Sequence, residues 1–277
     1  MYQTISPGLV GVSIGLEEGC RMAAAAGFEG YAIEPFMMKQ GAGAVRDVLA
    51  QYHLTPACYG LPVDFRREES VFEETLRALE PSAKFCAELG MTRFCTWLSP
   101  ASDDLTYEEN FQLHTRRLKA CAEILREYGI MLGLEFVGTP SAVASRKHAF
   151  IHNLDGLLDL WDAIGTGNVG IMIDSWHWDM AQQKLEDFRK IPDEKYVVVA
   201  HINDAPDLPL EEQQDGSRRL PGATGVLRIG DFFTGLTQLG YQGPVMAEPF
   251  DHSLNGLPAE TVFARVKSSI DSVWPRL

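Results

Sequence analysis

VGIMIDSWHW, residues 169–178, runs apolar without a break up to a single carboxylate, Asp174, and then passes into a polar and aromatic turn. A strand that is apolar on both of its alternating faces is covered on both, as in a parallel sheet flanked by helices. The construction recurs. GLVGVS (8–13), YAIEPF (31–36), TPACYGL (55–61), TRFCTWL (92–98), IMLGLEFVG (130–138), YVVVAHIND (196–204) and PVMAEPF (244–250) are further short β-rich apolar runs, which brings the total to eight. The opening stretch, MYQTISPGLVGVS, reads as part of the first strand, because a secretory leader needs a basic region followed by a long apolar one.

Between these runs the apolar residues fall at helical spacing. Leu118, Cys121 and Leu125 share one helix face, and Val262, Val266, Ile270 and Val273 share another. Gly27, Gly90, Gly129 and Gly240 each follow a helical stretch, where a left-handed cap favours glycine. Pro81 interrupts the third helical segment and is expected to open a second helix there. Strand and helix alternating in this way specify an α/β fold, and eight repeats in 277 residues specify a (β/α)8 TIM barrel. With no linker or low-complexity stretch in sight, residues 1–277 are expected to form a single barrel domain. The longest irregular segment, from about Ala205 to Arg228, would overhang the catalytic face.

The net charge of −14 argues against a nucleic-acid partner, whose phosphates demand clustered Lys and Arg. No apolar run reaches the roughly 18 residues of a membrane span, so no membrane partner is expected. Cys20, Cys58, Cys86, Cys95 and Cys121 are odd in number and show no CxxC pairing, which points to reduced core thiols and a cytoplasmic location.

Chemistry gathers at the strand ends. Glu135 closes LGLE, Asp174 closes GIMID, His201 follows YVVVA, and Glu248 follows PVMA. The carboxyl ends of barrel strands face one cavity, so residues far apart in sequence meet there. Taken singly, each reads as a solvated loop residue or a hydrogen-bonded core histidine. Together, three carboxylates in an apolar cavity repel one another unless a cation neutralises them. Oxygen-rich ligation with one imidazole points to a single divalent ion, Mn2+ or Mg2+ first, with Co2+ or Zn2+ as alternatives.

LEFVG at Glu135, IDSWHW with its Asp174-x-x-His177 pair, and AHINDAP through LPGATG to AEPF resemble the xylose isomerase-like TIM-barrel superfamily over the full chain. That superfamily includes tagatose and psicose epimerases, hydroxypyruvate isomerase, inosose-processing enzymes, dehydroshikimate dehydratase and endonuclease IV. The resemblance implies that Glu135, Asp174, His201 and Glu248 hold the metal, that Glu135 and Glu248 act as acid and base, and that His177 lies beside the substrate. It also implies a dimer or tetramer. Two features depart from the epimerase pattern: Ser141 stands where many members carry a second acidic residue, and Asp207 where they carry an arginine. The familiar epimerase pocket is therefore not expected to carry over.

Further substrate-binding candidates are Arg218, just before LPG, and Glu34 at the end of the second run; the commoner reading of Arg218 is an exposed loop arginine. Arg146, Lys147, His148 and His152 could form an anion pocket or a solvated loop. Trp97, Trp176, Trp178 and Phe250 could cover the apolar face of a sugar or simply pack as an aromatic wall. The glycines of LPGATG could cradle a phosphate through backbone N–H groups.

The expected function is a divalent-metal-dependent isomerase or epimerase of a sugar, keto-sugar or inositol derivative, working through a metal-stabilised enediolate. The alternative is a lyase that dehydrates a keto-cyclitol or keto-sugar with the same metal site. A nuclease is disfavoured by charge and by seven histidines without a shared motif, and a non-catalytic binding protein would use the scaffold alone.

Overall fold

The computed structural model describes residues 1–275. Eight strands, β1 (Tyr2–Ile5), β2 (Gly30–Ile33), β3 (Thr55–Gly60), β4 (Arg93–Trp97), β5 (Met131–Glu135), β6 (Val169–Asp174), β7 (Val197–Ile202) and β8 (Pro244–Ala247), close into a wholly parallel barrel in which β8 pairs with β1. The chain crosses between them through α1 (Leu16–Ala26), α2 (Ala42–Gln51), α3 (Glu69–Arg77), α4 (Leu79–Glu88), α5 (Tyr107–Glu127), α6 (Pro140–Val143), α7 (Leu154–Ile164), α8 (Ser175–Met180), α9 (Ile229–Leu239) and α10 (Ala259–Val273).

The alternation of side chains sorts the core into two layers. Phe94, Leu132, Leu134, Ile171 and Ile173 face outward and pack with helix residues such as Leu118, Leu125, Phe232 and Val266. Ala32, Ala57, Cys58, Met172, Val198, Val199 and Met246 form the smaller cluster inside the barrel. Gly27, Gly90, Gly129 and Gly240 all take positive φ, as their place after helices requires. Pro81 lies in the first turn of α4, after α3 has ended at Arg77, where a proline leaves no helical hydrogen bond unmade.

The first strand corrects the sequence reading. It is Tyr2–Ile5, whereas Gly8–Val10 form a short 3-10 turn closed by left-handed Gly11. The polar side chains of Gln3 and Thr4, which made this segment read weakly, are buried. Thr4 Oγ1 donates to the Val245 carbonyl at 3.2 Å and Gln3 Nε2 to Asp271 at 2.9 Å, so the donor group of each finds an acceptor inside the fold.

Outside the barrel, Ala101–Ser102 and His148–Ala149 form a small antiparallel ladder that fastens the β4–α5 and α6–α7 connections together. The segment after β7 is laid across the mouth by an antiparallel bridge between Asp204 and Arg219 and makes two short 3-10 turns, Leu210–Glu212 and Asp215–Ser217.

Candidate metal centre

Four strand ends bring the predicted ligands together. Glu135 is the last residue of β5, Asp174 the last of β6 and directly paired in register with His201 of β7, and Glu248 follows β8, whose Ala247 pairs with Ile202. One ligand atom from each of the four lies within 4.8 Å of all the others, the one such group among the described residues.

The carboxylates are fastened from outside. Asp174 Oδ1 caps α8 by accepting the Trp176 N–H at 2.6 Å. Asn203 donates through Nδ2 to both oxygens of Asp174, each at 3.0 Å, and accepts the Glu248 N–H on Oδ1 at 2.9 Å. One amide thus sets the spacing between two ligands whose strands are not adjacent. Gly138 permits the turn beyond Glu135, because a Cβ there would strike the His177 carbonyl.

Arg218 enters from the loop. It is 2 % exposed, and its Nη1 donates to Asp174 Oδ2 at 2.9 Å and to Glu248 Oε2 at 2.7 Å. Its Nη2 donates to Asp215 at 2.8 Å and lies 3.0 Å from His177 Nε2. His177 Nδ1 also faces the Gly138 N–H at 3.3 Å, and a neutral imidazole has only one acceptor nitrogen, so one of these two contacts sets donor against donor.

The charges divide the carboxyl groups. Burial, then the Glu248 and Asp174 charges, push the Glu135 carboxyl well above the usual carboxylate range. Burial also raises Asp174, although Arg218 and His201 oppose it. Burial acts upward on Glu248 too, but the His201 imidazole, whose Nδ1 approaches Glu248 Oε2 to 3.5 Å without a hydrogen bond, and the Arg218 charge overcome it and pull that carboxyl down to about 2. His201, against its own desolvation, is lifted to about 9 by Glu248, Glu135 and Asp174. Burial and the neighbouring Arg218 and His201 charges hold His177 neutral.

These residues fit a divalent cation. Glu135 Oε1 and His201 Nδ1 are buried and have no hydrogen-bond partner among the described residues, a costly arrangement that a shared ion would relieve. Charge agrees: three carboxylates against Arg218 leave two negative charges, the complement of one divalent ion bound by a neutral His201.

The other candidates separate. His177 and Arg218 lie at the cluster, and Arg218 is a buried residue instead of an exposed loop one. An arginine therefore reaches the ligands from position 218, although position 207 holds Asp. Glu34 is outside the cluster; its Oε1 accepts the Gly8 N–H at 3.2 Å. Ser141 donates to the Gln213 carbonyl at 2.7 Å and so tethers the loop to α6. Trp176 and Trp178 are core residues, whereas Trp97 and Phe250 remain exposed. The N–H groups of Thr224 and Gly225 in LPGATG already donate to the Asp204 carboxylate at 2.9 and 2.8 Å, which removes them as a phosphate cradle. Asn203 and Asp204 were not among the sequence candidates. Their position directly after the ligand strand His201–Ile202 was the available signal.

Fold and cluster together define a (β/α)8 barrel that gathers four groups able to hold a metal ion, Glu135, Asp174, His201 and Glu248, at the carboxyl ends of its last four strands. The model of the xylose isomerase-like TIM barrel matches residues 20–271, and the chain belongs to that family. An inosose isomerase of Bacillus velezensis is 25% identical over 230 residues, 81% of this chain and 79% of that protein. Among solved structures, a xylose isomerase domain protein from Alicyclobacillus acidocaldarius is 30% identical with a TM-score of 0.87, covering 99% of this chain and 98% of the other. An IolI protein with a bound zinc atom superposes with a TM-score of 0.83 at 20% identity, covering 99% and 98%. No helix among the described residues is long and apolar enough to cross a membrane.

Proposed function

We propose that this chain is a divalent-cation-dependent isomerase or epimerase of a sugar, keto-sugar or inositol derivative. The observation that carries the reading is the convergence of Glu135, Asp174, His201 and Glu248, with the buried atoms Glu135 Oε1 and His201 Nδ1 left without partners. The likeness to an inosose isomerase supports the small polyhydroxylated substrate. Held by these four residues, Mn2+ or Mg2+ (Co2+ or Zn2+ as alternatives) supplies a Lewis acid that makes a hydroxyketone's α-proton more acidic.

The protein's own groups then divide the proton work. Glu135 and Glu248 come from β5 and β8, separated around the barrel by β6 and β7, and so approach a bound substrate from different sides. One takes the proton next to the carbonyl. The other, entering protonated, gives its own proton to the opposite face, yielding the epimer, or the first group delivers the proton it took to the adjacent carbon, yielding the aldose–ketose isomer. Without the ion their environments differ: Glu248 is held ionised by His201 and Arg218, whereas Glu135 is biased towards its protonated form, a bias that a bound cation would oppose. Arg218 and His177 are assigned to the substrate's oxygens at the rim of the cluster, and the exposed Trp97 and Phe250 to its apolar face.

The test is a turnover screen with Mn2+ over ketoses, inososes and keto-acids in deuterated water. Deuterium entering a product of unchanged skeleton is the expected outcome; loss of water from the product mass would assign a dehydratase instead. Glu135→Gln and Glu248→Gln should each abolish turnover. Undiminished activity in both variants would remove the proposed acid–base pair.

A further inference from the structure

An open cavity of about 530 Å3, lined by none of the four metal-cluster residues, lies between α6, the end of α8 and the Arg146–His152 segment. Arg146, Lys147 and His152 line it, and no carboxylate does, in a chain where Asp and Glu outnumber Lys and Arg by 38 to 24. Neither Arg146 nor Lys147 forms a salt bridge with a described residue, although 11 Lys or Arg pairs with carboxylates occur elsewhere.

The cations belong to a held segment. The Lys147 N–H donates to Asp103 at 3.2 Å, the His148–Ala149 ladder pairs with Ala101–Ser102, and the Phe150 N–H donates to the Pro100 carbonyl at 2.7 Å. His152 Nδ1 donates to the Phe150 carbonyl at 2.6 Å, which fixes its ring at the cavity wall. Another part of the wall is Gln182, a non-glycine residue with φ of 53°, a conformation that costs energy and gathers at functional sites. Met180, Leu210 and Val143 supply an apolar side.

Gly138 forms part of this cavity, and its N–H meets His177 Nδ1 while the far side of the same ring meets Arg218. The imidazole therefore stands between the cavity and the metal ligands. We infer that this cavity is a binding site, separate from the metal centre, for a small phosphorylated metabolite, its phosphate taken by Arg146 and Lys147 and its organic part by Met180, Leu210 and Val143. Two cations of different geometry, a guanidinium fork and an ammonium, suit a dianionic tetrahedral head better than a single carboxylate.

The experiment is calorimetric titration of the metal-free full chain with inorganic phosphate at fixed ionic strength. The wild type should bind one phosphate saturably, and acetate at least ~10-fold more weakly. Arg146→Gln/Lys147→Gln, both at exposed positions and so without cost to folding, should weaken phosphate by ~10-fold or more. Lys84→Gln/Lys119→Gln, which removes the same charge from α4 and α5, should leave the affinity unchanged, as should His201→Ala in the metal cluster. Equal binding by wild type and Arg146→Gln/Lys147→Gln overturns the site. So does loss of binding in His201→Ala, which would move the phosphate to the metal centre, and so does absence of saturation at tens of millimolar phosphate.

Discussion

Replacing Arg218 by Met keeps the apolar stem of the side chain and deletes the guanidinium that touches both Asp174 and Glu248. In the metal-free protein Asp174 Oδ2 and Glu248 Oε2 then lose donors at 2.9 and 2.7 Å, at a site where Arg218 is 2 % exposed. Removing one partner of a buried ion pair costs about 3–5 kcal/mol, because the remaining charge is left uncompensated. At roughly 2 °C per kcal/mol for a chain of this size, the melting temperature in chelator should fall by roughly 6–10 °C. A divalent cation neutralises the same two carboxylates, so under saturating Mn2+ the deficit should shrink to less than half. The variant should also bind Mn2+ more tightly, since Arg218 no longer repels the ion or competes for its ligands. The loop should stay in place, held by the Asp204–Arg219 bridge and by Ser141 on Gln213. Differential scanning calorimetry with and without Mn2+ reads the first effect and titration calorimetry the second. A deficit of equal size in both conditions, or weaker Mn2+ binding by Arg218→Met, would refute the reasoning.

Glu135→Gln should stabilise the chelated protein at pH 8, because it removes a buried carboxylate pushed above its ordinary range, while weakening Mn2+ binding; a lower melting temperature in chelator would contradict this. Asn203→Ala should lower metal affinity by roughly 10–100-fold with all four ligands intact, since it releases the spacing between Asp174 and Glu248; unchanged affinity would show the amide to be dispensable. His201, raised to about 9 in the folded metal-free chain from about 6.5 in the unfolded one, contributes stability that is complete below about pH 6.5 and lost as the pH rises through 9. Chelated wild type should therefore lose stability over that window while His201→Gln, which has no imidazole to titrate, loses less; parallel curves would exclude His201 as the source. The same protonation must be reversed for an ion to bind, so Mn2+ affinity should rise with pH up to about 9, with proton release measurable in buffers of different ionisation enthalpy.

The convergence of Glu135, Asp174, His201 and Glu248 was legible because each closes an apolar run, and a barrel makes the end of every run a neighbour of the others. Asp174 and His201 pair directly, and no chemistry beyond strand parity was needed to see that they would face one cavity. What escaped was set by contacts between distant segments. Arg218 sits in a stretch with no periodicity, and its burial follows mainly from two carboxylates, Glu248 and Asp174, that attract it across 30 and 44 residues of chain. Asn203 looks like any polar residue after a strand until Glu248 and Asp174 close on it. The first strand was misplaced for the opposite reason: GLV is more apolar than YQTI, but Pro7 starts a 3-10 turn there, and the polar Gln3 and Thr4 find partners only once β8 and α10 are in position.

The proposed function turns on one ion among four side chains, and anomalous scattering from an Mn2+-soaked crystal reads that directly. The account predicts a single peak about 2.0–2.3 Å from donor atoms of Glu135, Asp174, His201 and Glu248. No peak within bonding distance of these four, with Arg218 still bridging Asp174 and Glu248 in saturating Mn2+, would contradict it.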